Sequence, residues 1–329
     1  MKEEEIRKRD TFNKYLKLVE DDVKNFFDFK SFINIKCPAC ESEEFLFEFG
    51  KLGFKYVTCK KCATFYVNPR PSYEAIKNIC SMSPSTSFLV KEFFMPVAEI
   101  RREKIFKPRA VYANSLLGKN KKWVICDIGA GIGLFLEELR KIMDGSYYIA
   151  IEPSVEMADI CREKGFDVKC TCLEDIKDME ESCDLLTAFE LVEHLFDPSA
   201  FLKRAYSLLK PGGYLFLTTL NGKGFDMLLL WEKSKSISPT HHLNFFNLSS
   251  IKCLLERIGF ELVDISTPGR LDWDIVEGMV KSEGINMGRF WNFLVHEGSE
   301  KCKNELQDWI SKNNLSSHMR VVFRKPING

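Results

Sequence analysis

The stretch Val124–Leu139, VICDIGAGIGLFLEEL, places Gly129, Gly131 and Gly133 within five consecutive positions, between an apolar run and a helix-patterned segment. A strand, a glycine turn and a helix in this order bring backbone close to a ligand, because glycine accepts conformations and approaches that a Cβ forbids. The spacing narrows the choice. A dinucleotide fingerprint reads G-x-G-x-x-G, whereas position 134 here is Leu, and no Lys-Ser/Thr pair follows the glycines to make a phosphate loop. At the end of the next apolar run, YYIAIEP, stands Glu152. An acidic group at that point accepts both hydroxyls of a ribose.

Outward from this stretch, strand-like and helix-like patterns alternate. WVICDIG, YYIAIEP, DVKCT, CDLLTAF, GYLFLTTL and FELVDIST read as strands, separated by helical segments such as SVEMADICREKG and PSAFLKRAYSLLKPGG. That alternation predicts an α/β fold, a parallel sheet with helices on both faces. HMRVVFRKP reads as one more strand, reached after a helical insertion over residues 268–317. The insertion carries Trp273, Phe290, Trp291 and Phe293, which serve either to cover a site or as the core of a small helical cap.

Upstream, FNKYLKLVEDDVKNFFDF has the spacing of an amphipathic helix. Cys37-Pro-Ala-Cys40 and Cys59-Lys-Lys-Cys62 follow, with eighteen residues between the pairs. Two C-x2-C knuckles at this separation form the ligand pattern of a four-cysteine zinc ribbon, and four protein ligands make the metal structural. A module this small has too little core to hold itself without such a staple. The expected organisation is a helix over 1–30, the ribbon over 31–70, a helical linker or cap over 71–120, the ligand-binding core over 121–267, the helical insertion over 268–317 and the final strand over 318–329.

Composition sets the class. The chain has 329 residues, 45% hydrophobic, with 47 basic and 47 acidic side chains, so it presents no global field for nucleic acid or anionic membrane. The charged start MKEEEIRKRD leads into no signal-like apolar core, and no run reaches the ~18 apolar residues of a membrane span, which predicts a cytoplasmic protein. Of the twelve cysteines, eight lie outside the knuckles and several, such as Cys126 and Cys183, sit in apolar runs as small buried hydrophobes.

VICDIGAGIG, AIEPS, AFELVEHLFDP and LLKPGGYLFLTTLN, in this order and strand context over 123–221, resemble the motif series of class I S-adenosylmethionine-dependent methyltransferases. SPTHHLNFFNLSSIKCLLERIGFELVDI extends the resemblance to the small-molecule branch that includes ubiquinone-biosynthesis O-methyltransferases. The ribbon with NPRPS, and NNLSSHMRVVFRKP near the end, resemble bacterial methyltransferases associated with surface-polysaccharide and sugar modification. The resemblance implies a Rossmann-like seven-stranded sheet, with the last strand antiparallel and paired with the sixth. It implies that Gly129, Ala130 and Gly131 line the methionine end of the cofactor and that Asp127 fixes its amino group. Glu152 would hold the ribose, Pro153 and Ser154 would border the adenine, and Phe189 and Glu190 would face the sulfonium. Where many relatives carry an Asp at the end of the third strand, TCLED puts Cys172, so backbone at Cys172 and Leu173 is expected to hold the adenine.

A hydroxyl or amine acceptor gains from a base that takes its proton. The candidates after strands are His194, in the E-x-x-E-H sequence Glu190–His194, and the pair His241 and His242. In ubiquinone-type enzymes a similar E-x-x-E-H motif holds a divalent cation. His318, at the start of the last strand, is expected near the same cleft. The leading expectation is methyl transfer, O-methylation first, to a small-molecule or sugar-linked acceptor. The alternatives are an RNA methyltransferase using the ribbon to bind nucleic acid, and a non-catalytic scaffold. Against RNA stand the neutral charge, the acidic Glu41, Glu43, Glu44 and Glu48 of the ribbon, and the lack of an [ND]-P-P-[FY] motif after the fourth strand of the core.

Overall fold

The computed structural model describes residues 2–118 and 122–327. The expected boundary between linker and core, at 120/121, lies outside the described residues. Seven strands form the main sheet: β4 (Val124–Ile128), β5 (Tyr147–Ile151), β6 (Asp167–Lys169), β7 (Cys183–Phe189), β8 (Leu209–Leu220), β10 (Glu261–Ser266) and β11 (His318–Arg324). Their spatial order is β10-β11-β8-β7-β4-β5-β6. β4 pairs in parallel with β5 and β7, and β7 with β8. β11 runs antiparallel between β8 and β10. This is the Rossmann-like arrangement anticipated from the sequence, with the final strand where the resemblance put it.

The strands read as near-continuous apolar runs because both faces are buried. Neighbouring residues part to opposite sides with the period of two. Cys126, Leu186, Leu217 and Val321 pack with Phe201 and Leu202 of α9 (Pro198–Leu208) and Leu254 and Leu255 of α11 (Leu248–Ile258). Ile125, Leu185, Phe216 and Val322 pack on the other face with Ala110 and Ala113 of α6 (Lys107–Leu117) and Phe135 and Leu139 of α7 (Leu134–Ile142).

A second, four-stranded antiparallel sheet joins β1 (Phe45–Lys51), β2 (Phe54–Cys59) and β3 (Phe65–Val67) to β9 (Asn244–Phe245). β9 belongs to the segment after β8, so the cysteine hairpins are hydrogen-bonded to chain that is distant in sequence: Phe65 faces Phe245 and Tyr66 faces Asn244. Arg70 lies fully buried at this seam. It donates to the carbonyls of Val67 (3.3 Å) and Phe196 (2.8 Å) and to Asn244 Oδ1 (2.9 Å).

The insertion folds as α12 (Asp272–Glu283), α13 (Arg289–Glu297) and α14 (Glu300–Lys312). Trp273, Val276, Met279, Leu294 and Val295 form its own core, with Trp291 packed against them, while Phe290 and Phe293 are exposed. The N-terminal helices α1 (Glu3–Ile6) and α2 (Arg9–Phe26) reach back to it: Glu3 N–H donates to Asp274 (2.6 Å) and Lys2 pairs with the same carboxylate (3.1 Å). Among the described residues no helix is long and apolar enough to cross a membrane.

Candidate active site

The four knuckle cysteines converge. The Sγ atoms of Cys37, Cys40, Cys59 and Cys62 all lie within 4.8 Å of one another, with 3.5 Å between Cys37 and Cys62 and between Cys40 and Cys59. Four sulfurs around a tetrahedral ion at about 2.3 Å would stand ~3.8 Å apart, so the cluster has the dimensions of a zinc site. The two turns are built alike. Glu41 N–H bonds the Cys37 carbonyl (3.0 Å) and Ala63 N–H the Cys59 carbonyl (2.9 Å), and both fifth residues take a left-handed φ of 60° and 55°. Asn247 Nδ2 donates to the carbonyls of Cys62 (3.0 Å) and Ala63 (2.9 Å), and Arg257 donates to that of Ala39.

The glycine loop leaves the carboxyl end of β4. Gly129, Gly131 and Gly133 have φ of 69°, 54° and 75°, which L side chains rarely adopt. A Cβ on Gly131 would meet nothing nearer than Met157 at 3.9 Å, so this backbone faces open space, whereas at Gly133 it would press on Cys161 (3.1 Å) and Phe166 (3.2 Å). Gly131 therefore suits a ligand cradle and Gly133 the packing of α7. Glu152, at the end of β5, closes the cradle. It is buried, and its two oxygens accept from Gly131 N–H (2.8 Å) and Ser154 N–H (2.9 Å); burial raises its pKa. Asp127 is buried beneath the loop, accepts from Thr187 Oγ1 (2.6 Å) and is pushed up to about 7 by loss of solvent. Pro153 is exposed beside Glu152, and Cys172 and Leu173 open the turn after β6, with the Cys172 thiol within electrostatic reach of that carboxylate. These positions share one edge of the sheet, beyond the carboxyl ends of the strands, where open α/β sheets bind ligands.

Phe189 and Glu190 end β7 at the same edge. The Phe189 ring sits edge-on to Phe135 (4.8 Å) and Phe216 (5.0 Å) and is capped by the Arg109 guanidinium at 4.7 Å. Glu190, at a left-handed φ of 52°, accepts from Arg109 (2.7 Å) and Thr218 Oγ1 (2.8 Å) and pairs with His318 Nδ1 at 3.3 Å. Burial alone would raise the Glu190 pKa, but the cations His318 and Arg109 hold it well below the usual carboxylate range. His318 is pulled down by burial, yet the Glu190 charge and hydrogen bond raise it overall. Its side chain remains 44% exposed. The segment before it is fixed: Asp272 accepts from Ser316 Oγ (2.7 Å) and Ser317 N–H (2.6 Å), and Ser317 Oγ donates to Asp226. No local pattern marks Arg109 as part of this group; its side chain arrives from α6, 81 positions upstream of Glu190.

The other histidines gather separately. The His194 and His242 rings are 4.8 Å apart, and each donates from Nδ1 to a carbonyl, that of His241 (2.8 Å) and of Ser236 (2.6 Å) respectively, since a carbonyl can only accept. Each thus presents a bare Nε2. Burial lowers all three histidine pKa values, that of His241 to about 3. Of the E-x-x-E-H residues, Glu190 turns to Arg109 and His318, while Glu193 and His194 combine with His242, one ligand atom of each within 4.8 Å of the others. Glu193 also accepts from Thr219 (2.8 Å).

Strand order, glycine loop and acidic residue after β5 define a Rossmann-like protein with its ligand edge at the carboxyl ends of the strands. The chain belongs to the family described as a methyltransferase domain, which matches residues 97–265, just over half of it; it is an S-adenosylmethionine-dependent methyltransferase. The knuckles, the helical insertion and His318 lie outside the matched span. Over 183 residues the chain is 31% identical to the ubiquinone biosynthesis O-methyltransferase of Bradyrhizobium diazoefficiens, covering 49% of this chain and 71% of that protein. It is 32% identical over 155 residues to the namesake enzyme of Xanthomonas euvesicatoria pv. vesicatoria, covering 43% and 64%. Among solved structures, the plantazolicin methyltransferase BpumL in complex with SAH superposes with a TM-score of 0.50 at 15% identity, over 76% of this chain and 94% of that one. The phosphoethanolamine N-methyltransferase 2 of Haemonchus contortus, in complex with S-adenosyl-L-methionine, gives 0.50 at 17% identity, over 73% and 59%. Both establish the fold alone.

Proposed function

We propose that this enzyme methylates a hydroxyl of a small-molecule acceptor, with His318 as the group that takes the hydroxyl proton. The observation that carries the reading is the His318–Glu190 pair, with His318 partly exposed, at the sheet edge that also holds the glycine loop. The O-methyltransferase relatives support the acceptor class. The looser sequence likeness to sugar-modifying enzymes makes a sugar-linked hydroxyl the acceptor to try first.

In this reading Gly129, Ala130 and Gly131 receive the methionine portion of S-adenosylmethionine, Asp127 its amino group and Glu152 the ribose. Pro153, Ser154, Cys172 and Leu173 border the adenine, and Phe189 and Glu190 the sulfonium side. The cofactor supplies an electrophilic methyl on a positively charged sulfur. The chain's own work is then alignment, since a nucleophile and a methyl held in line need little further activation. Glu190 holds His318 in place and stabilises its protonated form once the acceptor proton arrives. His194 and His242 hold the carbonyls of His241 and Ser236 through Nδ1, which suits them to order the loop. Residues 31–70 act as a zinc ribbon through Cys37, Cys40, Cys59 and Cys62, with no open position for chemistry, and 268–317 cover the cleft.

Calorimetric titration with S-adenosylmethionine and S-adenosylhomocysteine, on wild type and Glu152→Ala, tests the cofactor half. Micromolar binding that the substitution abolishes, in a variant that still melts cooperatively, supports it. Absence of binding to folded wild type would leave the scaffold alternative. Transfer of labelled methyl to sugar and catechol hydroxyls, compared between wild type and His318→Gln, tests the other half.

A further inference from the structure

Gly131 and Gly133 leave the loop after β4 free to turn either face of its peptides outward, because glycine accepts both hands of backbone conformation. Cys161 in α8 (Val155–Glu163) and Lys164 just past its end decide which face that is. Cys161 Sγ donates to the Gly131 carbonyl at 3.2 Å, and Lys164 Nζ donates to the next carbonyl, that of Ile132, at 2.6 Å. Positions three apart on a helix share a face, so one side of α8 meets both carbonyls. Lys164 is itself held by Glu137 of α7 at 2.7 Å, and Glu137 in turn by Arg102 at 2.9 Å. Cys161 is fully buried and the Lys164 side chain is 22% exposed, so neither contact is a loose surface one.

A trans peptide is planar, with its carbonyl and its N–H pointing in opposite directions. With the Gly131 carbonyl turned onto Cys161, the Ile132 N–H of the same peptide points away from α8. Among the described residues that N–H has no hydrogen-bond acceptor. Gly133 N–H, on the second held peptide, bonds back to the Ala130 carbonyl at 2.9 Å and closes the turn. Without the two side chains, the first peptide is free to flip and present a carbonyl oxygen, which repels an anion. With them it presents a donor, and backbone N–H groups gathered in a turn attract one.

We propose that Cys161 and Lys164 are positioning residues for the cofactor, holding the glycine turn so that the Ile132 N–H meets the methionine carboxylate. The inference rests on the cofactor placement above and adds to it two residues outside the strand and glycine motifs. Neither touches the reacting atoms. Their work is to remove the flipped turn from the conformations of the free protein, so that binding has less ordering left to do. Adenine and ribose lie across the site, at Glu152 and its neighbours, and do not sense the clamp.

The test compares S-adenosylmethionine with decarboxylated S-adenosylmethionine, which lacks only the carboxylate, by competition against labelled S-adenosylhomocysteine on the full chain. Wild type is expected to prefer the carboxylated form about tenfold or more, the scale of one hydrogen bond to a charged group. Lys164→Met and Cys161→Ala should each shrink that preference roughly threefold or more by weakening S-adenosylmethionine alone, and Lys164→Arg should keep it. Cys161→Ala separates the held peptide from the lysine's own field, because it changes no charge. No preference in wild type, an undiminished preference in either Lys164→Met or Cys161→Ala, or equal weakening of both ligands would overturn the proposal. Failure of wild type to bind S-adenosylhomocysteine would instead strike the cofactor reading, before any variant is compared. Should Cys161→Ala not melt cooperatively, Cys161→Val fills the same space without a donor and takes its place.

Discussion

At the scale of single residues the proposed proton transfer depends on one ion pair. Glu190 raises the His318 pKa above its ordinary value near 6.5, so protonated His318 is favoured at mildly acidic pH. A base must be neutral, so the rate should climb as pH rises through that raised value and level off above it. Glu190→Gln removes the charge that raises it, and the climb should move to lower pH while the plateau falls, read as kcat/KM against pH. His318→Gln should lower kcat by about 100-fold or more while leaving S-adenosylmethionine affinity near wild type, the scale of a lost general base. If both variants keep the wild-type pH profile, the proton goes elsewhere.

At the scale of elements the seam between β3 and β9 matters most, because it attaches the cysteine hairpins to the domain. Asn247 serves both sides. Its Oδ1 caps α11 by accepting from Ser250 N–H (2.9 Å), and its Nδ2 bonds the two carbonyls of the second knuckle. Asn247→Ala should cost about 2 kcal/mol in urea unfolding, one cap plus buried carbonyls left without a donor. The knuckle side chains Cys37, Ala39 and Cys59 pack in one cluster with Ile251, Leu254 and Leu255 of α11. Stripping metal with a chelator should therefore lower the melting temperature of the whole chain in one transition, by about 10 °C if metal contributes several kcal/mol. A separate low-temperature transition with an unmoved main one would mean that the hairpins fold apart from the core.

At the scale of the whole molecule, charge and attachment together bear on the RNA alternative. Basic and acidic side chains are equal in number, and the knuckle backbone is turned toward Asn247 and Arg257 of its own chain. A labelled RNA titrated across a salt series should show no binding beyond the weak, steeply salt-dependent kind at about 150 mM salt, where non-specific dissociation constants run near 10⁻⁴–10⁻⁶ M. Tight binding with a shallow salt slope would return the RNA reading to first place.

The sequence by itself determined whatever depends on neighbours along the chain. Seven strands, the glycine turn with Glu152 one strand later, and both knuckles are legible there because period-two patterning, backbone freedom and ligand spacing act over a few residues. Much of the proposed cofactor cradle follows, since its residues end successive strands and a parallel sheet collects those ends on one edge. Tertiary structure alone decided the rest. The pairing of β9 with β3 rests on two residues with no strand pattern of their own, recruited because β3 would otherwise be an open edge. His318 could be suspected from its place at the head of the last strand. Its union with Glu190, 128 positions earlier, follows from the antiparallel insertion of β11 beside β8, which brings His318 opposite Leu220. Arg109 sits in ordinary helical sequence, and only the packing of α6 against the sheet shows that its charge meets Glu190. Long-range electrostatics of this kind is absent from local pattern, because a charge has no period that reveals what lies across the fold from it.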